Sequence, residues 1–446
     1  MSAQPSLPSP ESTLPSSPPR SMHYAWVMAG VTFLVLLGAS GFRSAPGILI
    51  VPLQEAFGWD RATISLAVSI NLILFGFMGP FAAAMMDRWG IRRVVTVALI
   101  AIATGSFLTT FMTAPWQLYL LWGVVVGLGT GSMATVLAAT VATRWFVARR
   151  GVVMGLLTAA SATGQLIFLP GLAWLATHRG WQSVSIAVSL ATLAVVPLVL
   201  IFARNRPADL GLRPYGATGA EPPAPPRRNP IAAAFGTLRM AVRSRDFWLL
   251  ASTFFICGAT TNGLIGTHLI PAAHDHGMSE VTAANLLALI GIFDIIGTTA
   301  SGWLTDRFDP RRLLFLYYGL RGLSLMALPW AFGSPRFGLI AFIVFYGLDW
   351  VATVPPTVAL AGRSFGVEQA ALVYGWVFAA HQLGAATAAF LAGVIRTNTG
   401  DYVLAFTGAG WLGLLAAFLV LGIGRGGRRR LVRRDVAPVA SSGAAD

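Results

Sequence analysis

The sequence predicts an all-α membrane protein of twelve transmembrane helices in two six-helix bundles, with both termini cytosolic. Three observations carry that prediction. Hydrophobic residues make up 55% of the 446 residues and charged residues only 11%, against about 25% charged in soluble globular chains. Long apolar runs alternate with short polar breaks, as helical spans require and the alternating strands of a barrel do not. Finally, the arginines crowd onto one set of alternate loops.

Residues 1–22 are rich in Ser and Pro and cannot bury a core, so they read as a disordered cytosolic tail. The first apolar run, from Trp26, is too long for a cleavable signal and reads as helix 1. The breaks place helices 1–6 at about 24–52, 62–86, 93–113, 116–143, 150–177 and 181–203. Helices 7–12 fall at about 246–271, 281–304, 311–332, 336–361, 370–396 and 401–424. Each half is thus one bundle, 23–204 and 246–425. Between them, 205–245 holds "EPPAPPRRNP" and reads as a cytosolic linker. Residues 426–446 form a basic cytosolic tail.

The net charge is +14 and all 31 cations are arginine. In a soluble chain such a charge would suggest nucleic acid; here it belongs to loops. Loops on one side carry 25 of the 31, and the opposite loops carry Arg61, Arg179, Arg336 and Arg396. Arg43 and Arg321 fall inside helices. The asymmetry puts the arginine-rich side in the cytosol. The single cysteine, Cys257, excludes an intramolecular disulfide.

An internal repeat marks the two halves. "AAMMDRWGIRR" (83–93) joins helices 2 and 3, and "GWLTDRFDPRR" (302–312) joins helices 8 and 9. Asp87 and Arg88 match Asp306 and Arg307, and Arg92 and Arg93 match Arg311 and Arg312. Each carboxylate sits at a helix end beside guanidinium groups that can bridge to neighbouring helix ends, before a turn through Gly90 or Pro310.

At these residues the chain resembles the major facilitator superfamily, whose loop signature is G-x-x-x-D-R-x-G-x-R-R. Asp87, Arg88, Gly90, Arg92 and Arg93 match it in the first copy, with Ala83 for the first glycine. Gly302, Asp306, Arg307, Arg311 and Arg312 match in the second, with Asp309 for the later glycine. The resemblance implies the twelve-helix major facilitator fold over about 23–425, a conformational role for the loop motif, and secondary active transport. Within the superfamily the chain resembles the monocarboxylate transporter group and its bacterial relatives. Tyr24-Ala25-Trp26 matches that group's entry to helix 1. Trp145-Phe146, Arg149-Arg150 and Gly155 match its entry to helix 5. The R-x-x-x-G and G-x-x-x-G-P patterns of proton-driven drug exporters are missing from helices 4 and 5.

Charges inside the bilayer cost at least about 2.5–3.5 kcal/mol each and therefore mark function or pairing. Asp294 (helix 8) and Arg321 (helix 9) lie roughly 15 Å deep, Asp349 (helix 10) roughly 18 Å and His381 (helix 11) roughly 17 Å. All four sit near the midplane of the second half, where such transporters place substrate and coupling ions. Asp294, Asp349 and His381 are candidates for substrate binding or proton coupling; for His381, a packed and hydrogen-bonded residue is the competing reading. The resemblance places helix 9 at the periphery. Arg321 is then a structural charge partner pinning Asp294 or Asp349, unless it binds an anion itself. Arg43, deep in helix 1, either snorkels to the interface or meets a carboxylate at the outer cavity mouth. In the monocarboxylate group Asp294 corresponds to the acid of a helix 8 D-x-x-x-R pair, whose arginine position holds Thr298 here.

No phosphate loop, metal-ligand spacing or nucleophile motif appears, so neither an enzyme nor an ATP-driven pump is expected. "HDH" at 274–276 lacks a third ligand in sequence, so no metal and no cofactor is expected. The expected function is proton symport or exchange of a small organic anion, a carboxylate, across a bacterial inner membrane. The alternative is the same fold carrying a neutral metabolite or vitamin, or acting in efflux. The expected partners are the lipid bilayer, a small-molecule substrate and protons, with no nucleic acid; the working unit is a monomer.

Overall fold

The computed structural model describes residues 23–217 and 230–424. Both predicted tails lie outside the described residues, as does the side chain of Arg43. The first half contains helix 1 (Tyr24–Phe57), helix 2 (Arg61–Trp89) and helix 3 (Ile91–Leu108). It continues with helix 4 (Pro115–Trp145), helix 5 (Arg150–Arg179) and helix 6 (Trp181–Phe202). The second half contains helix 7 (Arg245–Asp275), helix 8 (Glu280–Thr305) and helix 9 (Pro310–Phe332). Helix 10 follows in two pieces, Ile340–Asp349 and Val354–Phe365, then helix 11 (Val367–Thr399) and helix 12 (Val403–Val420). Among the described residues, eleven of these helices are long and apolar enough to cross a bilayer. Helix 5, at 30 residues, packs along helix 1 and completes the twelve.

Helix starts follow local chemistry. Asp60 Oδ1 accepts from the Thr63 N–H, Ser279 Oγ from Thr282, and Asp309 Oδ1 from Arg311, each satisfying an amide that the helix itself cannot. Helix 1 runs past its predicted end, through Pro46 and Pro52, and stops at Gly58, whose φ of 68° suits glycine.

The two halves repeat one packing scheme. Helix 1 lies on helix 5, 2 on 4 and 3 on 6; correspondingly, 7 lies on 11, 8 on 10 and 9 on 12. Helices 3, 6, 9 and 12 form the outer pairs. Their exposed Val97, Leu200, Leu316 and Phe418 suit lipid.

Contacts between the halves run through helices 2 and 11, 5 and 8, and 1 and 7. They tighten away from the arginine-rich end. A Cβ on Gly393 would sit 2.9 Å from the Arg61 carbonyl, and one on Gly47 would sit 3.1 Å from that of Gly266. Ser69 Oγ donates to the Ala386 carbonyl at 2.7 Å. Towards the arginine-rich end, a Cβ on Gly30, Gly155, Gly302 or Gly375 would meet nothing within 4 Å. The halves are therefore shut at the end away from the arginines.

The linker contains a helix that its proline-rich composition did not predict, Pro230–Ala241. It packs on both helix 2 and helix 11. Trp376 Nε1 donates to the Ala234 carbonyl at 2.9 Å and Thr237 Oγ1 to Gln369 Oε1 at 3.0 Å. One short helix thus touches both halves at the arginine-rich end.

Candidate functional site

The buried charges of the second half gather around a break in helix 10. Pro355 and Pro356 carry no N–H, so the carbonyls of Val351 and Ala352 lose their helical donors. The chain turns tightly over Trp350–Thr353, where the Trp350 N–H bonds to Gly347 and the Val354 N–H to Val351. This leaves the carbonyls of Asp349, Trp350 and Ala352 and the N–H of Val351 to find other partners. Inside a bilayer such groups must be satisfied by protein.

Neighbouring helices supply the partners. Arg321, 1% exposed, donates from Nε to Asp349 Oδ2 at 2.5 Å. Its Nη2 donates to the Asp349 carbonyl at 2.5 Å and to that of Trp350 at 3.3 Å. Its Nη1 reaches Cys257 Sγ of helix 7 at 3.0 Å, and that sulfur lies 3.2 Å from Thr353 Oγ1. Asp294 Oδ1 accepts from the Val351 N–H at 2.9 Å and from Thr298 Oγ1 at 2.8 Å. Ser301 Oγ donates to the Ala352 carbonyl at 2.5 Å. A guanidinium therefore caps the carbonyl side of the break, and a carboxylate caps its amide side.

Of the two aspartates open to Arg321 in the sequence reading, Asp349 makes the ion pair. Among the described residues Asp294 is bonded only to neutral donors, and the position of the family's arginine is filled by Thr298, one of those donors. Asp349 Oδ1 is buried without a hydrogen-bond partner among the described residues. His381 stacks on Phe378 (centroids 5.7 Å apart) and packs on Phe254, and its carbonyl abuts Gly258. The adjacent Gln382, 1% exposed, lies where helix 11 meets Gly76 of helix 2, and neither amide atom has a partner among the described residues.

The two loop motifs are built differently. Asp87 forms an ion pair with Arg144 at the end of helix 4. Gly90 has a φ of 87°, and a Cβ there would lie 2.5 Å from Asn205 Oδ1, which itself accepts from the Arg92 N–H. In the second copy Asp309 takes the ion pair, holding Arg311 at 2.7 Å, and the guanidinium keeps this carboxyl below the usual carboxylate range. Arg311 reaches on to the Ile423 carbonyl after helix 12, and Arg307 folds over Trp303. Tyr24 and Trp26 meet Trp145 and Phe146, with ring centroids 5.9 and 5.2 Å apart, so the two entry motifs form one aromatic cluster.

A second charged network, at the shut end, escaped the sequence reading. Arg61 of helix 2 grips Asp275 of helix 7 bidentately at 2.6 and 2.7 Å. Arg396 of helix 11 bonds the same carboxylate at 2.7 Å. Arg61 Nη1 also donates to the Tyr402 hydroxyl at 3.0 Å. His268 Nε2 faces the Ala389 carbonyl at 2.8 Å and must donate there, so its Nδ1 accepts from Tyr402, 3.1 Å away. Arg61 and Arg396 had read as loop charges and Asp275 as part of "HDH". The available signal was the placement of both signs at helix ends on one side.

The sequence matches the family model of the Major Facilitator Superfamily over residues 29–389 and again over 255–441. It is 26% identical over 401 residues to an uncharacterized MFS-type transporter, YcxA, of Bacillus subtilis, covering 85% of this chain and 90% of that one. It is 29% identical over 404 residues to monocarboxylate transporter 13 of Bos taurus (90% and 88% covered). It is 25% identical over 431 residues to a gallate transporter of Pseudomonas putida (90% and 92%). Its fold matches the crystal structure of a bacterial homologue of the human lysosomal transporter Spinster. The TM-score is 0.71 at 16% identity, over 94% of this chain and 100% of that one. The repeated loop motif, the paired six-helix bundles and these matches agree: the chain is a multi-pass membrane protein of the major facilitator superfamily.

Proposed function

We propose that the protein is a secondary active transporter that carries a small organic carboxylate across a bacterial inner membrane by proton symport or exchange. The carrying observation is the charge balance at the helix 10 break. Two buried carboxylates, Asp294 and Asp349, face one buried guanidinium, and Arg321 is engaged by Asp349. Asp294, held by an amide and a hydroxyl alone, is the group able to take a proton without breaking an ion pair. Its Oδ1 bonds directly to the break, so its charge is coupled to the shape of helix 10. Relatives named as monocarboxylate and gallate transporters support the choice of a carboxylate.

The arginine-rich end faces the cytosol in this reading, so the Arg61 end is the outer seal. Rocking of one half against the other about a central site then gives alternating access. The Asp87–Arg144 pair and the linker helix belong to the inner side. Arg43, by its place in helix 1, remains a candidate for the substrate's carboxylate, and His381 for the proton path.

The test is uptake by purified protein in liposomes under an inward proton gradient, with lactate and gallate each compared with its neutral amide. Uptake of an acid but not its amide is expected. Gradient-driven uptake of a sugar or nucleoside, with neither acid taken up, would overturn the proposal.

A further inference from the structure

We infer that Arg61 is a receptor for the substrate's carboxylate at the outer mouth, and that Asp275 occupies its fork while that mouth is shut. The inference rests on the carboxylate reading above and adds a binding site to it.

The fork is already built and holding a carboxylate. Arg61 is 5% exposed, and both Nη atoms meet Asp275, at 2.7 and 2.6 Å, in the planar two-bond geometry that guanidinium offers to carboxylates. Its Nε donates to Gln54 Oε1 at 3.0 Å, which fixes the plane of the fork. Arg61 and Gln54 belong to the first half. Asp275, Arg396, Tyr402 and His268 belong to the second.

When the halves part at this end, the network divides unequally. Asp275 keeps Arg396, a neutral pair, and Tyr402 keeps His268. Arg61 keeps only Gln54 and loses its carboxylate and its phenol. The one surplus positive charge of the network is then on Arg61, oriented and facing the opened mouth. An incoming organic anion takes the place Asp275 left. A carboxylate seated there blocks the return of Asp275, so the mouth stays open until the anion moves inward.

Ser65, one turn along helix 2 from Arg61 and fully buried against Gly393, reports the opening. Cys257 is buried, so the chain without an added cysteine serves as the blank. A Ser65→Cys variant in sealed, right-side-out vesicles is labelled with a membrane-impermeant maleimide while acetate, lactate or benzoate is titrated in. Each acid is compared with its amide. Labelling is expected to rise with at least one acid and with no amide. Adding Asp275→Asn removes the internal competitor. Labelling without acid then rises, and the half-effect concentration falls by about fivefold if the open fraction goes from about one molecule in ten to about one in two. Adding Arg61→Gln abolishes the response. Arg61→Lys, which keeps the charge without the fork, shifts it to higher concentration and carries the test should Arg61→Gln fail to fold.

A response that survives Arg61→Gln, an amide as effective as its acid, an unchanged half-effect concentration in Asp275→Asn, or no response to any acid would each overturn the inference. Uptake measured on the same vesicles separates this from the broader reading. Acid uptake that persists without a labelling response removes the Arg61 site alone, whereas loss of both removes carboxylate transport as well.

Discussion

Neutralising Arg321 should destabilise the protein through one identifiable carboxylate, Asp349. In Arg321→Gln the Asp349 carboxylate loses its ion pair, and the carbonyls of Asp349 and Trp350 lose their donor at the helix 10 break. Breaking a buried pair by removing one partner costs about 3–5 kcal/mol. At about 1.4 kcal/mol per tenfold, that lowers the ratio of folded to unfolded protein by two to four orders of magnitude. Adding Asp349→Asn removes the stranded charge but not the stranded carbonyls, each worth about 1–3 kcal/mol. The double variant should therefore melt between the single variant and the unsubstituted protein. Asp294→Asn gives no such relief, because Asp294 caps the Val351 N–H and not the guanidinium. Melting of purified protein in detergent, with expression as a second readout, gives the order. Equal rescue by Asp294→Asn, or an Arg321→Gln variant that melts with the unsubstituted protein, would refute this account of the break.

Other consequences are smaller. Ser301→Ala strands the Ala352 carbonyl and should cost about 1–3 kcal/mol in the same melting assay, with little change in substrate affinity. Gly90→Ala forces a side chain onto a backbone at φ 87° and ψ 154°, a region essentially restricted to glycine, and into Asn205, so it should lose more stability than the about 1–3 kcal/mol of the conformation alone and melt correspondingly lower. Asp87→Asn, which breaks the pair with Arg144, should slow transport more than it weakens substrate binding; equal loss of both would point to folding instead. Reporter fusions at residue 225 and at the C-terminus should both read cytosolic, and a periplasmic signal at either would reverse the orientation.

Much of the architecture was legible because bilayer spans advertise themselves. Apolar runs located all twelve helices, and the Asp87 and Asp306 loops revealed the two halves. The embedded charges stood out for the same reason, since Asp294, Arg321 and Asp349 are costly in hydrocarbon. Which aspartate Arg321 meets was not legible. That depends on the break in helix 10, and while Pro355-Pro356 was visible, the partners of the freed backbone groups come from helices 8 and 9. The Arg61–Asp275–Arg396 network was illegible for another reason. Its members lie 214 and 121 residues apart at helix ends, where charges ordinarily signal water. The helix Pro230–Ala241 was hidden by prolines and arginines on either side of a short apolar run.

Proton movement that accompanies substrate tests the central claim most directly. Liposomes holding the protein, with no imposed gradient, are given lactate or gallate while external pH and substrate uptake are recorded together. The account predicts that the medium turns alkaline as the acid enters. It also predicts that Asp294→Asn abolishes this proton flux while still exchanging external for internal substrate. Substrate uptake with no proton movement in the unsubstituted protein, or an undiminished proton flux in Asp294→Asn, would contradict it.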